Sequence, residues 1–251
     1  MPSKPLLPKP DYEVSCCWSS PDPDGQDAQW CAQKLVGFLH AIQPHCPAGT
    51  EWHFLGPKDV LTPLPASADA LRLAVLNPGN GDRRGVAPHT RYPQVGFSAL
   101  FMTASRGGAG LIVSLGQGHD SGGSNLRLTL PSQGEAAQAW SEPARVEALF
   151  TTCIRFWQAQ GAAVHHTDIR DEDPGHPLPV YWFVYDRAWR GAPLPTMPAG
   201  VQIKTLDDGG PYIVTTAERY NRFIDAHREL SDTARATLRQ AGLLASGGPF
   251  L

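Results

Sequence analysis

Three short runs, Val95–Thr103, Leu111–Leu115 and Asn125–Leu130, are continuously apolar or alternate apolar and polar positions, as β-strands do. In the last run Leu126, Leu128 and Leu130 share one side and Asn125, Arg127 and Thr129 the other, the pattern of a strand with one buried face. From Pro143 the period changes. Val146, Leu149, Phe150, Cys153, Ile154 and Trp157 recur at helical spacing and predict a helix over Pro143–Gly161, with Pro143 in its first turn and Gly161 at C′.

Upstream, Tyr12–Trp18 reads as a strand and Ser20–Gly25 as a turn. Asp27 then caps a helix that runs through Gln43, with Cys31, Leu35, Phe38, Leu39 and Ile42 on one stripe and Pro44 as its stop. Trp52–Leu55 is a short strand. Residues 57–94 are weakly patterned: Ala68–Leu76 fits a helix or a strand, and Asn77–Arg84 reads as a turn. Downstream come a strand at Ala163–Thr167, an acidic, proline-rich loop at Asp168–Pro179, and an aromatic strand at Val180–Asp186 too hydrophobic for a sheet edge. Val201–Leu206 and Tyr212–Val214 form a hairpin around Asp207–Gly210. Thr216 opens a helical region with Tyr220, Phe223, Ile224 and His227 on one face, and Ser231 caps a second helix, Asp232–Ala241.

The expected fold class is α+β: a mostly antiparallel sheet with amphipathic helices packed on one face. Strand-then-helix units recur near Asp27 and Pro143, the pattern of a diverged β-α duplication, although identity between the two parts is too low to claim one. Residues 1–10 carry four prolines and read as a disordered arm; 11–251 read as a single domain, with a division into lobes at about 11–90 and 91–251 as the alternative.

Composition narrows the function. At 251 residues the chain can bury a full core. Its net charge of −3, with 24 acidic against 21 basic side chains and no basic stripe, argues against nucleic acid as a direct ligand. No run approaches the roughly 20 apolar residues of a membrane span, and the first ten residues lack the apolar core of a signal peptide, so a cytoplasmic location is expected. The five cysteines, two of them adjacent, include no CxxC pair, which leaves out the common zinc and thioredoxin motifs and favours a reducing compartment.

Candidate chemistry is sparse. His165, His166 and Asp168 form the best metal candidate, but adjacent histidines on a strand face opposite ways, and a site needs His176 or Asp171 to fold back. Gly116–Ser124 holds His119, Asp120, Ser121 and Ser124, yet members of one short loop cannot take up a catalytic-triad geometry, and the glycine spacing is not that of a phosphate loop. A small hydrolase or metal-dependent enzyme using His119 and Ser121, or His165 and Asp168, is therefore the weaker alternative; no cofactor, metal ligand or catalytic residue is assigned. Three acidic groups stand out: Asp22, Asp24 and Asp27; Asp168, Asp171, Glu172 and Asp173; and Asp207 with Asp208. Each is explained by a solvated loop, and each also suits docking onto a basic protein surface. Trp182 reads as core; for Trp189, beside Arg187, the core reading outweighs that of an exposed binding anchor, which is kept as a candidate.

Three groups of residues carry a resemblance: Trp52-His53-Phe54-Leu55-Gly56 after a β-α unit; Phe97–Thr103 with Leu126–Leu130 before the helix of Phe150 and Trp157; and Gly210-Pro211-Tyr212-Ile213-Val214 before the final helical region. Together, over about residues 12–230, they resemble the bacterial polymorphic-toxin immunity proteins, most closely the immunity protein 52 family. The resemblance implies a non-enzymatic α+β protein that binds and neutralises a cognate toxin, a restriction-endonuclease-fold DNase delivered by a type VI secretion system, by blocking its active site in the cytoplasm. An adaptor of the secretion apparatus is the remaining alternative. The residues assigned to partner binding are Asp168, Asp171, Glu172, Asp173, Trp189, Asp207 and Asp208.

Overall fold

The computed structural model describes residues 12–20, 22, 24–55, 60–65, 67–74, 76–78, 86–103, 108–118, 123–131, 134–166, 181–221 and 223–244. Residues 1–11, and with them the whole of the expected N-terminal arm, lie outside this set.

The architecture is α+β, as the hydrophobic pattern predicts. The strands are β1 (Tyr12–Trp18), β2 (Trp52–Leu55), β3 (Leu61–Pro63), β4 (Asn77–Pro78), β5 (Phe97–Thr103), β6 (Gly110–Leu115), β7 (Ser124–Leu130), β8 (Gly161–His165), β9 (Phe183–Asp186), β10 (Gln202–Thr205) and β11 (Pro211–Val214). They form one antiparallel sheet in the order β10-β11-β9-β8-β1-β7-β6-β5-β2-β3, with β4 also pairing with β5. The helices are α1 (Ala28–Ile42), α2 (Ala68–Ala74), α3 (Gly134–Trp140), α4 (Pro143–Trp157) and α5 (Asp225–Gln240).

β1 occupies the middle of the sheet, with β7 on one side and β8 on the other. All seven of its residues are buried. On its first face Trp18 stacks on Trp157 of α4 at 4.3 Å between ring centroids, and Phe38 of α1 meets the same indole at 5.3 Å. The predicted stripes of α1 and α4 all face this layer and are buried. Asp27 caps α1 by accepting from the Trp30 N–H at 2.8 Å, and the carbonyls of Thr90 and Pro88 take the Ala28 and Gln29 N–H groups, each at 2.9 Å.

At the β9–β11 end the second face is covered too. Val184 and Ile213 point away from α4 and pack with Ala234 and Leu238 of α5 and with Trp189. Toward the other end the second face is open: Leu100 and Ile112, direct cross-strand partners, are 36% and 43% exposed. An antiparallel sheet tolerates one solvated face.

Three local expectations are corrected. α4 ends at Trp157, not Gly161; Gln158 takes the left-handed turn (φ 51°), and the Ala159 N–H bonds Ile154 O at 3.0 Å. The helix stops early because Gln160 N–H is taken by Cys17 O at 2.8 Å and Gly161 already lies between Cys17 and Asp186 in the sheet. Asn77 and Pro78, expected in a turn, form β4 against Ser98 and Phe97, while 79–85 lie outside the described residues. The two helices expected after Thr216 are one, α5, with Ser231 buried inside it rather than capping. Helix α3 carries no strong apolar stripe, and no local pattern announces it.

The stack on β1 and the open face give opposite expectations. Trp157→Ala should cost about 3–5 kcal/mol, the range for deleting a buried large aromatic, whereas Ile112→Thr should cost less than about 1 kcal/mol. Urea unfolding of both variants checks the contrast; equal losses would contradict the assignment of the two faces.

Candidate functional site

The hairpin of β10 and β11 gathers the densest described set of charged contacts. Glu147 of α4 receives Lys204 Nζ at 2.7 and 2.8 Å and the Tyr212 hydroxyl at 2.5 Å. At the hairpin tip Arg155 Nη2 lies 3.1 Å from Asp207 Oδ2, and Arg190 donates to Asp208. Asp208 Oδ1 also accepts the Gly210 N–H at 3.1 Å. That backbone donor, then Arg190, holds the Asp208 carboxyl below its ordinary pKa. Its contribution is therefore present above the ordinary carboxylate range and is lost as pH falls through the folded value. Burial first, then the hydrogen bond to Glu147, raises the Tyr212 phenol. The side chains of Asp207 and Asp208 remain 85% and 48% exposed, so they can still face a partner, but each already has a cation beside it.

Trp189 is not a surface anchor. It is 1% exposed, in the apolar cluster under α5, and its Nε1–H donates to Leu243 O at 3.0 Å. Asp186 brings it there: its carboxylate accepts the Ala188 N–H at 2.8 Å and starts a turn of 3₁₀ helix that folds the indole inward. Asp168, Asp171, Glu172 and Asp173 lie outside the described residues, as do His119 and Ser121.

His165 is described, and is 2% exposed on the second face of β8. Its Nε2 lies 3.4 Å from Ser15 Oγ and 3.6 Å from Glu13 Oε1, both on β1, and its Nδ1 lies 3.0 Å from His166 O. Serine, histidine and carboxylate are thus together, a juxtaposition that pairing of β1 with β8 creates and that no local sequence signal announces. It is not a relay: hydroxyl and carboxylate share one ring nitrogen, whereas a triad places them on opposite nitrogens. His166 lies instead against Tyr12 and Tyr220, at 4.7 and 5.8 Å between rings. Among the described residues no three His, Cys, Asp or Glu side chains are grouped to hold a metal ion.

The five cysteines are free and buried. Burial pushes the Cys17 and Cys46 thiols up to about 11 and raises Cys16 and Cys31 as well, so these four are protonated at neutral pH and poor nucleophiles. Gly116, which opens the loop weighed above for catalysis, has a packing reason for being glycine: at φ +80° a side chain there would meet Cys31 Sγ at 2.8 Å. One cleft, of about 470 Å³, lies between α1 and the β2–β3 hairpin, with Leu39, His40, Glu51, His53 and Leu71 among its walls.

Among the described residues no helix is long and apolar enough to cross a membrane. Residues 126–247 match the family model for immunity protein 52. That span runs from β7 to beyond α5 and contains α4, the hairpin cluster and the second apolar cluster. It includes the Leu126–Leu130 and Gly210–Val214 residues of the resemblance; Trp52–Gly56 and Phe97–Thr103 lie outside it. No curated protein sequence matches the chain. The solved structure of the Pseudomonas aeruginosa T6SS protein PA0821 is 11% identical, with a TM-score of 0.49, over 90% of this chain and 73% of that one. The likeness to immunity protein 52 is therefore established for the part of the chain from β7 onward, residues 126–247.

Proposed function

We propose that this chain is an immunity protein: it binds a cognate toxin and neutralises it without turning over a substrate. The match of residues 126–247 to immunity protein 52 carries this reading. The toxin we assign is a restriction-endonuclease-fold DNase effector of a type VI secretion system, met in the cytoplasm and silenced by covering its active site. Acidic loops favour such a partner, because a DNA-binding cleft is rimmed with basic groups. The shared ring nitrogen at His165 and the protonated, buried thiols favour binding over catalysis.

Within that proposal the segment of Asp168, Asp171, Glu172 and Asp173 supplies the long-range attraction. Asp207 and Asp208 sit at the rim, where Arg155 and Arg190 already offset their charge. An interface of about 800 Å² on this chain is the size expected for a stable complex.

Co-expression of this chain with its cognate effector, sought as a nuclease-like reading frame beside its own gene, should restore growth to cells that the effector alone kills. Changing Asp171, Glu172 and Asp173 together to alanine should slow association severalfold at low salt, an effect that shrinks as salt rises. Stopped-flow association of the purified pair measures this. Native-like association of the triple variant at low salt would remove that segment from the interface, and failure to restore growth would remove the immunity reading.

A further inference from the structure

The sheet ends in two different ways. At one end β3 is three residues long and finishes on Pro63. At the other, β10 is the terminal strand among the described residues and contains no proline.

The direction of the β10 backbone follows from its register. Gln202, Ile203, Lys204 and Thr205 oppose Val214, Ile213, Tyr212 and Pro211. Pro211 has no N–H to give, and the next pair is bonded, Leu206 N–H to Gly210 O at 2.9 Å. On the far side of β11, Thr215 N–H bonds Trp182 O at 2.9 Å, which directs Ile213, two residues earlier, toward β9 rather than β10. Alternation along an antiparallel ladder then gives Gln202 and Lys204 their bonds to β11 and turns the N–H and C=O of Ile203 and Thr205 outward, to the open edge.

Edges of this kind are usually blunted by a lysine, a proline or a bulge. The one lysine of β10 is diverted: Lys204 lies over the first face of the sheet, held by both oxygens of Glu147. Ile203, on the opposite face beside Ile213, is 42% exposed. The hairpin is also fixed before any partner arrives, by Arg155–Asp207, Arg190–Asp208 and the Asp208 bond to Gly210 N–H. A preformed edge loses little ordering entropy on binding.

We infer that the outer edge of β10 receives an extended segment of the toxin as an added strand, an inference that rests on the immunity reading above. The backbone groups of Ile203 and Thr205 supply the register. The added strand alternates an apolar side chain over Ile203 with a polar one beside Gln202 and the Lys204–Glu147 pair. A second copy of this chain is a poorer occupant. Two four-residue edges overlap over only about 14 Å, too short a contact to bury by itself the roughly 800 Å² per partner of a stable complex, whereas a toxin adds contacts elsewhere.

Hydrogen–deuterium exchange on the native chain, free and in complex with the effector whose toxicity it relieves, tests this. The Ile203 and Thr205 amides should exchange fast in the free chain and at least tenfold more slowly in the complex; those of Gln202 and Lys204 should be slow in both. Ile203→Pro deletes an outward donor without touching the ladder to β11, so its melting temperature should stay close to native while affinity falls about tenfold. A complex that forms with fast exchange retained at Ile203 and Thr205 overturns the edge and leaves the immunity reading intact. No complex and no protection from toxicity overturns both. Protection that grows with the concentration of the chain alone puts a second copy on the edge and overturns the toxin strand.

Discussion

Both halves of the sheet depend on the burial of one strand. β1 has β7 on one flank and β8 on the other, so the strands before α3 and those after α4 are continuous only through it. Its two faces do different work. The first, with Val14, Cys16 and Trp18, is the floor for α1 and α4, and the Trp18–Trp157 stack at 4.3 Å fixes α4 over it. The second carries Glu13 and Ser15 and accommodates them by bringing His165 from β8. Buried polar groups are costly unless satisfied; here Ser15 Oγ reaches His165 Nε2 and Ala163 O at 3.4 and 3.5 Å, and Glu13 Oε1 stands 3.6 Å from the same imidazole nitrogen.

From that centre the functional end follows. α4 crosses from β1 to the β10–β11 hairpin and carries both anchors that hold it, the partly buried Glu147 and the exposed Arg155, outside the buried stripe of Val146 and Phe150. α5 covers the second face of the same strands, and among the described residues no further strand pairs with β10. The span that matches immunity protein 52 contains this end of the sheet, while the open face around Leu100 and Ile112 and the cleft beside α1 lie outside it.

Much of the scaffold is readable from local pattern. Asp27 before the Cys31–Ile42 stripe, and the alternation of Leu126, Leu128 and Leu130, each carry a complete local reason for their structure. What escapes is set by distant pairing. Gly161 looks like a helix stop, but the demand of β1 for a neighbour ends α4 at Trp157 and leaves Gln158 in the left-handed turn. Ser231 looks like a cap, but burial against the sheet carries one helix through it. Trp189, between two arginines, suits core or surface anchor by local sequence alone, and packing under α5 decides for the core. The same limit applies to the site: the acidity of Asp207 and Asp208 is visible in the sequence, but the arginines that offset it come from α4 and from the turn after β9, 52 residues before Asp207 and 18 before Asp208.

The role of β1 as the link between the two half-sheets is most directly tested by residue-resolved hydrogen exchange across a denaturant series. If β1 joins them, its amides are among the slowest, and those of β6 on one side and β9 on the other lose protection in the same transition. An opening of β8–β11 at lower denaturant, with β1 and β5–β7 still protected, would contradict it.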